Sequence, residues 1–242
     1  MNKPTAFVTG AAQGIGLATV ARLARDGFRV VAMDRHAERL QAAVAALRAD
    51  GLDIVAAVCD VCDRASVAAA FDAQPRVDAL VCAAGIYNDA RFLELTDDAF
   101  RSMLEVNVIG TFIPAQEAAR RMQAGGRIVT ISSRGALGGT RFAHYVASKS
   151  AVIGLTRAMA MELRERQIAV NSVAPGFTDT PMTRSAPAEM FAAWEQLEPG
   201  GRAASPDVIA NAIAFLAAPS TQFITGQTLF VDGGKSLGGL GI

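Results

Sequence analysis

The sequence predicts a doubly wound α/β fold, in which a parallel sheet of about seven strands carries helices on both faces. Short apolar runs alternate with amphipathic stretches along all 242 residues, and this alternation is typical of βαβ units. Hydrophobic residues make up 51% of the chain, enough to fill a large core. Because no linker, repeat or low-complexity segment interrupts the pattern, we expect one domain over residues 1–242.

Four strands and three helices are predicted in the first half of the chain. Apolar runs mark the strands, and the helices have apolar residues at helical spacing, as at Leu40, Val44 and Leu47. Gly27 and Gly51 follow the first two helices, where glycine commonly ends a helix. The predicted strands are 6–9, 28–33, 54–58 and 77–82, and the predicted helices are 14–26, 37–50 and 66–71.

The second half continues the alternation with three helices and three strands. Thr96 and the two acids after it predict the N-terminus of a long helix, and Pro114 inside this helix predicts a bend. Ser205 and Pro206 predict the start of the last helix. The predicted helices are 96–122, 144–166 and 206–217, the strands are 127–132, 168–173 and 228–231, and residues 178–201 form a less regular stretch.

Composition and charge exclude several classes of function. Lys+Arg and Asp+Glu both number 23, and this balance argues against a nucleic-acid or anionic-membrane partner. No apolar run has the length of a membrane span, and no secretory signal is recognisable. Three cysteines, an odd number, favour a reduced, cytoplasmic protein. We interpret the Cys59-x-x-Cys62 pattern as coincidence, because Asp63 is expected to cap a helix and no further metal ligands lie nearby.

A glycine-rich loop lies between the first predicted strand and the first predicted helix. Gly10, Gly14 and Gly16 are spaced G-x-x-x-G-x-G, with Gln13 and Ile15 among them. Glycine permits a tight turn and a close approach of the backbone to a pyrophosphate, whose charge the amides of a helix N-terminus stabilise. The loop therefore predicts a dinucleotide-binding site.

Asp34, at the end of the second strand, indicates which dinucleotide is bound. It follows the glycines by roughly 20 residues, where an acid accepts hydrogen bonds from the adenosine ribose and repels a 2′-phosphate. Gln13 is neutral, so no cation is expected on this side, although Arg35 could meet a phosphate. We therefore predict NAD rather than NADP. Asp60, with Val61 next to it, either contacts the adenine amino group or caps a helix.

A tyrosine and a lysine with helical spacing predict proton chemistry. Tyr145 and Lys149 are four residues apart and therefore share one helix face. A cation beside a phenol favours the phenolate and lowers its pKa. Ser132 and Ser133 end the fifth predicted strand just upstream. A hydroxyl donor, an acidified phenol and an ammonium group together could polarise and protonate a carbonyl.

Together these residues resemble the short-chain dehydrogenase/reductase family, classical type. The resemblance covers nearly the whole chain. Besides the glycine loop, the serine pair and the Tyr145–Lys149 motif, it includes Asn107 in E-V-N-V-I-G, the segment Asn171-Ser-Val-Ala-Pro175-Gly176, and Val231-Asp-Gly-Gly234. The resemblance implies a single Rossmann-type domain that binds NAD, needs no metal, and forms a homotetramer.

The resemblance also implies a role for each matching position. Tyr145 would exchange a proton with the substrate oxygen, Ser133 would hold that oxygen, and Lys149 would lower the tyrosine pKa. Asn107 would lie at a distortion in the long helix and hold a water that links Lys149 to solvent. The implied cofactor-binding residues are Gly10, Gln13, Gly14, Ile15, Gly16, Asp34, Asp60, Val61, Ala84, Gly85, Tyr145, Lys149, Pro175, Gly176, Thr178 and Thr180.

The chain departs from the family pattern at two places. Cys82 and Ala83 replace the usual Asn-Asn before Ala84 and Gly85, which puts the local hydrogen bonding in doubt. If Ser133 is the catalytic serine, its spacing from Tyr145 is one residue shorter than is usual in the family. Ser132 would have the usual spacing. We choose Ser133 because it lies at the tip of the strand.

The substrate-binding residues are expected around the serine–tyrosine loop and in the stretch 178–201. This stretch either forms a lid over the nicotinamide or packs as an ordinary surface helix. One of Arg134 and Arg141 could anchor a carboxylate, phosphate or sulfonate group of the substrate; otherwise these arginines are solvated or paired. The predicted substrate-binding residues are Ser133, Leu137, Phe142, Tyr145, Met182 and Trp194.

The sequence thus predicts an NAD-dependent enzyme that interconverts a small-molecule secondary alcohol and a ketone, with Tyr145 as acid/base. One alternative is an NADPH-dependent reductase of carrier-bound 3-oxoacyl chains, which Asp34 and Gln13 disfavour. Another is a regulator that binds NAD without turnover, which the complete set of Asn107, Ser133, Tyr145 and Lys149 disfavours.

Overall fold

The computed structural model describes residues 3–238, which form one seven-stranded sheet flanked by helices. Every strand pairing is parallel, and the strand order is β3-β2-β1-β4-β5-β6-β7. The predicted fold class is confirmed. The strands are β1 Thr5–Thr9, β2 Arg29–Asp34, β3 Ile54–Val58, β4 Ala79–Cys82, β5 Arg127–Ile131, β6 Ala169–Pro175 and β7 Thr228–Val231.

Nine α-helices lie within the described residues, and four of the six predicted helices have the predicted bounds to within two residues. They are α1 Gly14–Arg25, α2 Ala37–Ala49, α3 Arg64–Asp72, α4 Asp97–Leu104, α5 Gly110–Arg121, α6 Ala143–Leu163, α7 Pro181–Arg184, α8 Ala188–Gln196 and α9 Pro206–Ala217. Asp63 and Thr96 cap α3 and α4 as predicted, since their side chains accept hydrogen bonds from backbone amides of the first turn. The stretch 178–201 contains α7 and α8.

The helices cover both faces of the sheet, and each face has its own apolar core. Successive strand residues point to opposite faces, so Phe7 and its neighbour Val8 belong to different cores. The Val8 side contains Leu23 of α1 and Ile213 of α9. On the other side, Phe7 packs against Phe71 of α3 with ring centroids 4.4 Å apart. No described helix is both long and apolar enough to cross a membrane.

The long predicted helix and the last one differ in detail from the sequence predictions. The predicted helix 96–122 is divided by a π-helical segment, Glu105–Ile109, which contains Asn107, so the distortion that the family resemblance implied there is confirmed; Pro114 lies inside α5. The distortion follows Asn107, whose buried side chain bonds to the backbone of a distant loop. Ser205 precedes α9 but its hydroxyl makes no capping hydrogen bond to the described residues, so Pro206 alone marks the start.

The order of the strands reverses between β1 and β4. In an open parallel sheet, the connections on the two sides of such a point diverge and leave a crevice at the carboxyl ends of the strands. The glycine loop follows β1 and the segment from Ala83 to Gly85 follows β4. The fold therefore brings these two segments to the same crevice.

Candidate active site

A cavity of about 420 Å³ occupies the crevice at the carboxyl ends of β1, β2 and β4. The lining extends from Asp34 and Arg39, after β2, to Tyr87, after β4, and it also includes Val106 and Met182. The predicted cofactor-binding residues that line it are Gly10, Gln13, Gly14, Ile15, Gly16, Asp34, Asp60, Ala84, Gly85, Val61 and Thr180. An elongated ligand such as a dinucleotide fits this lining.

The glycine loop has a conformation that side chains would prevent. Gly10 has a φ of 65°, in the left-handed region that favours glycine. A Cβ atom at Gly16 would lie 2.1 Å from the carbonyl oxygen of Gly10, so only glycine allows α1 to start so close to the loop. The unpaired amides of the first turn of α1 therefore lie at the cavity, where they suit a pyrophosphate.

Asp34 is held at the far end of the cavity by two backbone amides. Its carboxylate accepts hydrogen bonds from Ala12 (3.1 Å) and His36 (3.0 Å). Arg39 of α2 donates to the side-chain oxygen of Gln13 at 2.8 Å and lines the same end. The expectation that no cation lies beside Gln13 is therefore wrong, because α2 brings Arg39 back to the loop.

Asp60 turns the chain before α3 without capping the helix itself. Its carboxylate accepts from the amide of Cys62 at 2.9 Å, whereas Asp63 provides the cap. Asp60 also lines the cavity, so it remains available for a ligand. Cys59 and Cys62 line the cavity as free thiols. Burial raises the pKa of Cys59, and that of Cys62 to about 11, which keeps both thiols protonated and unreactive.

Thr9 supplies the hydrogen bonds that the missing asparagines put in doubt. Its fully buried hydroxyl accepts from the amides of Ala83 and Ala84, each at 3.1 Å. Gly85 then passes close to the proposed catalytic groups: a Cβ atom there would lie 3.1 Å from Asn107 Oδ1 and 3.5 Å from Lys149 Nζ. The backbone after β4 is thus fixed from both sides.

Asn107 is fully buried in the π-helical segment and holds Ile86 by its backbone. Its side-chain oxygen accepts from the Ile86 amide at 2.8 Å, and its side-chain nitrogen donates to the Ile86 carbonyl at 3.1 Å. The same nitrogen lies 3.0 Å from Ser148 Oγ of α6. Asn107 therefore connects three elements of the site. Its expected role in holding a water stays a prediction.

The two serines after β5 have different surroundings. Ser132 is buried and donates to the carbonyl of Lys149 at 2.8 Å, a contact that joins β5 to α6. Ser133 is half-buried, and its hydroxyl accepts from the Gly135 amide at 2.9 Å. The Ser133 hydroxyl also interacts with the Tyr145 phenol, and this contact partly opposes the rise in the tyrosine pKa that burial causes. The structure thus brings Ser133, and not Ser132, to Tyr145.

Tyr145 and Lys149 lie on one face of α6, as their spacing predicts. Lys149 is buried, donates to the Ile131 carbonyl at 2.9 Å, and has its Nζ atom 5.7 Å from the centre of the Tyr145 ring. Burial lowers the pKa of Lys149 to about 8. Burial also raises the pKa of Tyr145, and the interaction with Ser133 only partly opposes this rise.

The expected lowering of the Tyr145 pKa is therefore not found in this structure. Removal of the phenol from water disfavours its ionised form. The ammonium of Lys149 lies over the ring rather than at the hydroxyl, and it forms a hydrogen bond to a backbone carbonyl instead. The pair is pre-formed, but the protein alone keeps the phenol protonated.

The segment after β6 contributes a second wall. Thr180 caps α7 and lies against Gly14, where an added Cβ atom would be 3.4 Å from the threonine side chain. Pro175, Gly176 and Thr178 lie just upstream. A Cβ atom at Gly176 would lie 2.9 Å from Asp232, and the Thr178 hydroxyl donates to the Gly176 carbonyl at 3.1 Å. These residues shape the turn that delivers Thr180 to the cavity.

The predicted substrate-binding residues are not all at the cavity. Met182 lines it, and Phe142 packs edge-on against Tyr145 with ring centroids 6.2 Å apart. Leu137 is exposed on the serine–tyrosine loop. Trp194 of α8 packs against Phe177 instead. In the stretch 178–201, α7 borders the cavity and α8 packs on the protein, whereas a lid over the nicotinamide stays a prediction.

Sequence reasoning missed two residues of the site. Arg39 reaches Gln13 across 26 positions. Tyr87 lines the cavity and lies edge-on to Tyr145, with ring centroids 5.2 Å apart and an angle of 85°. Of the two arginines left open, Arg141 is paired with Asp89 and Arg134 is half-buried. The scarcity of tyrosine, with two in the chain, was the available signal for Tyr87.

Comparison with known proteins assigns this arrangement to a family. The family model described as enoyl-(acyl carrier protein) reductase matches residues 10–236. The chain belongs to the short-chain dehydrogenase/reductase family. Members of this family are oxidoreductases that bind a nicotinamide cofactor, and the glycine loop and the cavity fit such a cofactor.

Three similar proteins span nearly the same length as this chain. The cis-4-hydroxycyclohexanecarboxylate dehydrogenase of Sinomonas cyclohexanicum is 40% identical over 237 residues, which are 95% of each chain. The 3-oxoacyl-acyl-carrier-protein reductase FabG of Rickettsia felis is 35% identical over 233 residues, also 95% of each. A solved structure of an actinorhodin polyketide ketoreductase variant with NADPH has a TM-score of 0.90 at 32% identity and covers 97% of both chains.

Proposed function

We propose that this short-chain dehydrogenase/reductase uses NAD(H) to interconvert a secondary alcohol and a ketone. The observation that carries the proposal is the grouping of Ser133, Tyr145 and Lys149, with Lys149 next to Gly85 in the lining of the cavity that begins at the glycine loop. The names of two relatives support the reaction class, since one is a dehydrogenase of a ring-borne secondary alcohol and the other a reductase of 3-oxoacyl groups.

Each side chain has a distinct task in this proposal. The nicotinamide, when bound, supplies or accepts the hydride. Tyr145 donates a proton to the carbonyl oxygen during reduction and removes it during oxidation, as a general acid and base. Ser133 donates a hydrogen bond to the same oxygen and orients it. Lys149 supplies positive charge that stabilises the phenolate once the tyrosine has lost its proton.

The central test of the reaction is a Tyr145→Phe variant. Phenylalanine retains the ring contacts with Tyr87 and Phe142 but has no proton to transfer, so turnover should fall by at least about 100-fold. NADH binding, followed by fluorescence, should remain within about threefold of wild type, because the cofactor cavity is intact. An absorbance assay with a panel of alcohols and both cofactors measures turnover. Undiminished turnover in the variant would refute the role of Tyr145.

The preference for NAD over NADP follows from the charges at the far end of the cavity. Asp34 is fixed there by two amides and presents a carboxylate where a 2′-phosphate would lie. Arg39 is near enough to attract such a phosphate, but it already donates to Gln13. We infer that repulsion by Asp34 outweighs attraction by Arg39, because Asp34 is held rigidly at the ribose position.

Exchange of the charged residue tests the cofactor preference. Asp34→Ser should raise kcat/KM with NADPH by about tenfold or more and lower it with NADH, because it removes the repulsion and a ribose acceptor. Arg39→Ala is the matched control at the same end of the cavity, and it should lower only the residual activity with NADPH. A wild-type preference for NADPH that survives in Asp34→Ser would contradict the assignment.

An NADPH-dependent 3-oxoacyl-carrier reductase is the second candidate. Arg39 beside Gln13 and the similarity to FabG favour it. The two candidates differ in both substrate and cofactor. A higher kcat/KM for acetoacetyl-carrier thioesters with NADPH than for simple ketones with NADH would establish the second.

We also propose that the protein is a cytoplasmic homotetramer. Exposed apolar side chains occur on α9 at Val208 and Phe215 and on β7 at Leu229. Burial of these residues between copies would remove apolar surface from water. The free thiols of all three cysteines fit a reducing compartment. Light scattering coupled to size exclusion measures the assembly, and a monomer that remains active at micromolar concentration would contradict it.

A further inference from the structure

The residues between β4 and α4 form one side of the substrate end of the cavity. The segment 86–90, here called the wall segment, has no regular secondary structure. Its position therefore depends on its contacts with other parts of the chain. The wall segment faces the serine–tyrosine loop, residues 134–142, which is one residue shorter than the spacing usual in the family.

Two contacts clamp the wall segment to the serine–tyrosine loop. The Arg141 guanidinium donates from Nε to both carboxylate oxygens of Asp89, at 2.9 and 3.0 Å, and the Ala90 amide donates to the Arg141 carbonyl at 2.7 Å. Arg141 has a φ of 70°, which is uncommon for a residue other than glycine. Such a conformation persists only where its surroundings enforce it. The shortened loop thus turns sharply at Arg141 to reach the wall segment.

A third contact attaches the same segment to the helix that carries Tyr145. Asn88 forms a hydrogen bond through its side-chain oxygen with Nε2 of His144, a fully buried residue at the start of α6. Burial lowers the pKa of His144, so the ring is neutral at pH 7 and acts as a donor from Nε2. His144 therefore has a positioning task, although it points away from the face of Tyr145.

These contacts fix Tyr87 beside Tyr145. Tyr87 lines the cavity, and its ring lies edge-on to that of Tyr145. The rings of Tyr87, Phe142 and Tyr145 form a trio with centroids 5.2 to 6.2 Å apart and interplanar angles of 57° to 85°. Edge-to-face packing of this kind is favourable and restricts ring rotation.

We infer that Tyr87 is a specificity-determining residue that forms a rigid aromatic wall beside Tyr145 and selects substrates with a compact alicyclic body. The inference rests on the proposed function, because it names the substrate class for the same site. The carboxylate of Asp89 and the guanidinium of Arg141 neutralise each other, so the wall offers apolar contact without a free charge. Val106 and Met182 add apolar lining to the same cavity.

A rigid wall favours a ring over a chain for an entropic reason. An open-chain substrate loses the freedom of several rotatable bonds when it is pressed against a fixed surface, whereas a ring of the same carbon number has lost that freedom already. The ring also presents its C–H groups to the face or edge of an aromatic side chain. Selectivity should therefore depend on the Tyr87 ring and not on its hydroxyl.

Paired substrates and variants of Tyr87 test the inference. The wild type should reduce cyclohexanone with a kcat/KM about tenfold or more above that for 2-hexanone, a discrimination within the range of an apolar pocket. Tyr87→Ala should remove most of this ratio, mainly through a higher KM for cyclohexanone. Tyr87→Phe, the matched control, should keep the ratio within about twofold because it retains the ring. An unchanged ratio in Tyr87→Ala, or a lost ratio in Tyr87→Phe, would overturn the inference.

The clamp is tested by a second, independent variant. Arg141→Gln removes the ion pair to Asp89 and should lower the ratio of kcat/KM values in the same direction as Tyr87→Ala. Arg22→Gln removes a similar bidentate pair with Asp26 on α1, far from the cavity, and should leave the ratio unchanged. An unchanged ratio in Arg141→Gln, or equal effects of the two arginine variants, would refute a positioning role for the clamp.

Failure of this inference differs from failure of the proposed function. If neither ketone is reduced with either cofactor, the reaction class itself is wrong for simple ketones, and the inference falls with it. If both ketones are reduced and Tyr145→Phe abolishes both activities, while Tyr87→Ala lowers them equally, the reaction stands and the inference about Tyr87 is wrong.

Discussion

At the scale of single residues, the neighbouring serines Ser132 and Ser133 are expected to have different roles, one structural and one catalytic. Ser133→Ala should lower kcat by about 100-fold, because it removes a hydrogen-bond donor aimed at the reacting oxygen. Ser132→Ala should leave kcat within about threefold but lower the free energy of unfolding by about 1 kcal/mol, since it leaves the Lys149 carbonyl with one bond fewer. Steady-state kinetics and urea unfolding measure the two effects, and an exchange of these phenotypes would assign the catalytic role to Ser132.

Lys149 makes a second residue-scale prediction, which concerns pH. Its pKa is about 8 in the folded protein and 10.5 ordinarily, so between these values the unfolded chain binds the additional proton. The free energy of unfolding should therefore rise with pH in this window. Below pH 8 the folded protein bears the full cost of burying a protonated lysine, here called the burial penalty. The gap corresponds to about 3 kcal/mol.

The effect of Lys149 can be isolated by difference. The variant Lys149→Met has no charge at this position and therefore no burial penalty at any pH. The wild type should thus become more stable relative to this variant as the pH rises from 8 to 10.5. Denaturant titrations without cofactor at several pH values provide the measurement. A difference that stays constant across the window would show that Lys149 keeps an ordinary pKa.

At the residue scale, the sequence predicted correctly which side chains lie together where their spacing within one element determines this. The i, i+4 spacing predicted that Tyr145 and Lys149 share a face of α6, and the tip of β5 placed Ser133 at the tyrosine. Arg39 and Tyr87 were missed because their contacts join distant segments, α2 to the glycine loop and the wall segment to α6. The pKa of Tyr145 was mispredicted because burial, which a sequence does not display, dominates over the nearby charge.

At the scale of elements, the connection between β1 and β4 depends on one hydroxyl. Thr9→Val keeps the shape of the side chain but leaves the amides of Ala83 and Ala84 without this acceptor, and it should lower the free energy of unfolding by about 2 kcal/mol. Thr19→Val is the matched control, because Thr19 is equally buried and donates only to the Ile15 carbonyl within α1. Chemical denaturation of both variants gives the comparison, and equal losses would contradict the special role of Thr9.

Elements were predictable to the extent that local pattern determines them. Apolar runs located the strands, and apolar residues at helical spacing located most helices, two of which are followed by glycine. Burial of one face of an element produces this spacing of apolar residues directly. The distortion at Glu105–Ile109 was expected at Asn107 from the family resemblance alone, because it accompanies hydrogen bonds from Asn107 to the backbone of Ile86. That partner lies 21 positions away, and the local sequence does not identify it.

At the scale of the whole molecule, cofactor binding should stabilise the fold by mass action. A ligand at about 100 times its dissociation constant adds about 2.7 kcal/mol to the folded state, which corresponds to a rise in Tm of roughly 5 to 10 °C for a protein of this size. Tyr145→Phe should show the full rise with NADH, whereas Asp34→Ser should show a smaller one. Differential scanning fluorimetry measures both, and an equal rise in all three proteins would exclude Asp34 from the binding site.

The strand order also has a consequence for how the chain folds. β1 is synthesised first, yet it occupies the middle of the sheet between β2 and β4, and β4 lies some 70 positions downstream. The apolar edge of β1 therefore stays uncovered until β4 has emerged from the ribosome, a state that is prone to aggregation. β7, made last, pairs only at the outer edge of β6. Among the seven strands, synthesis thus proceeds from the interior of the sheet to its margin, so a pause between β1 and β4 leaves more of the sheet unpaired than a pause between β6 and β7.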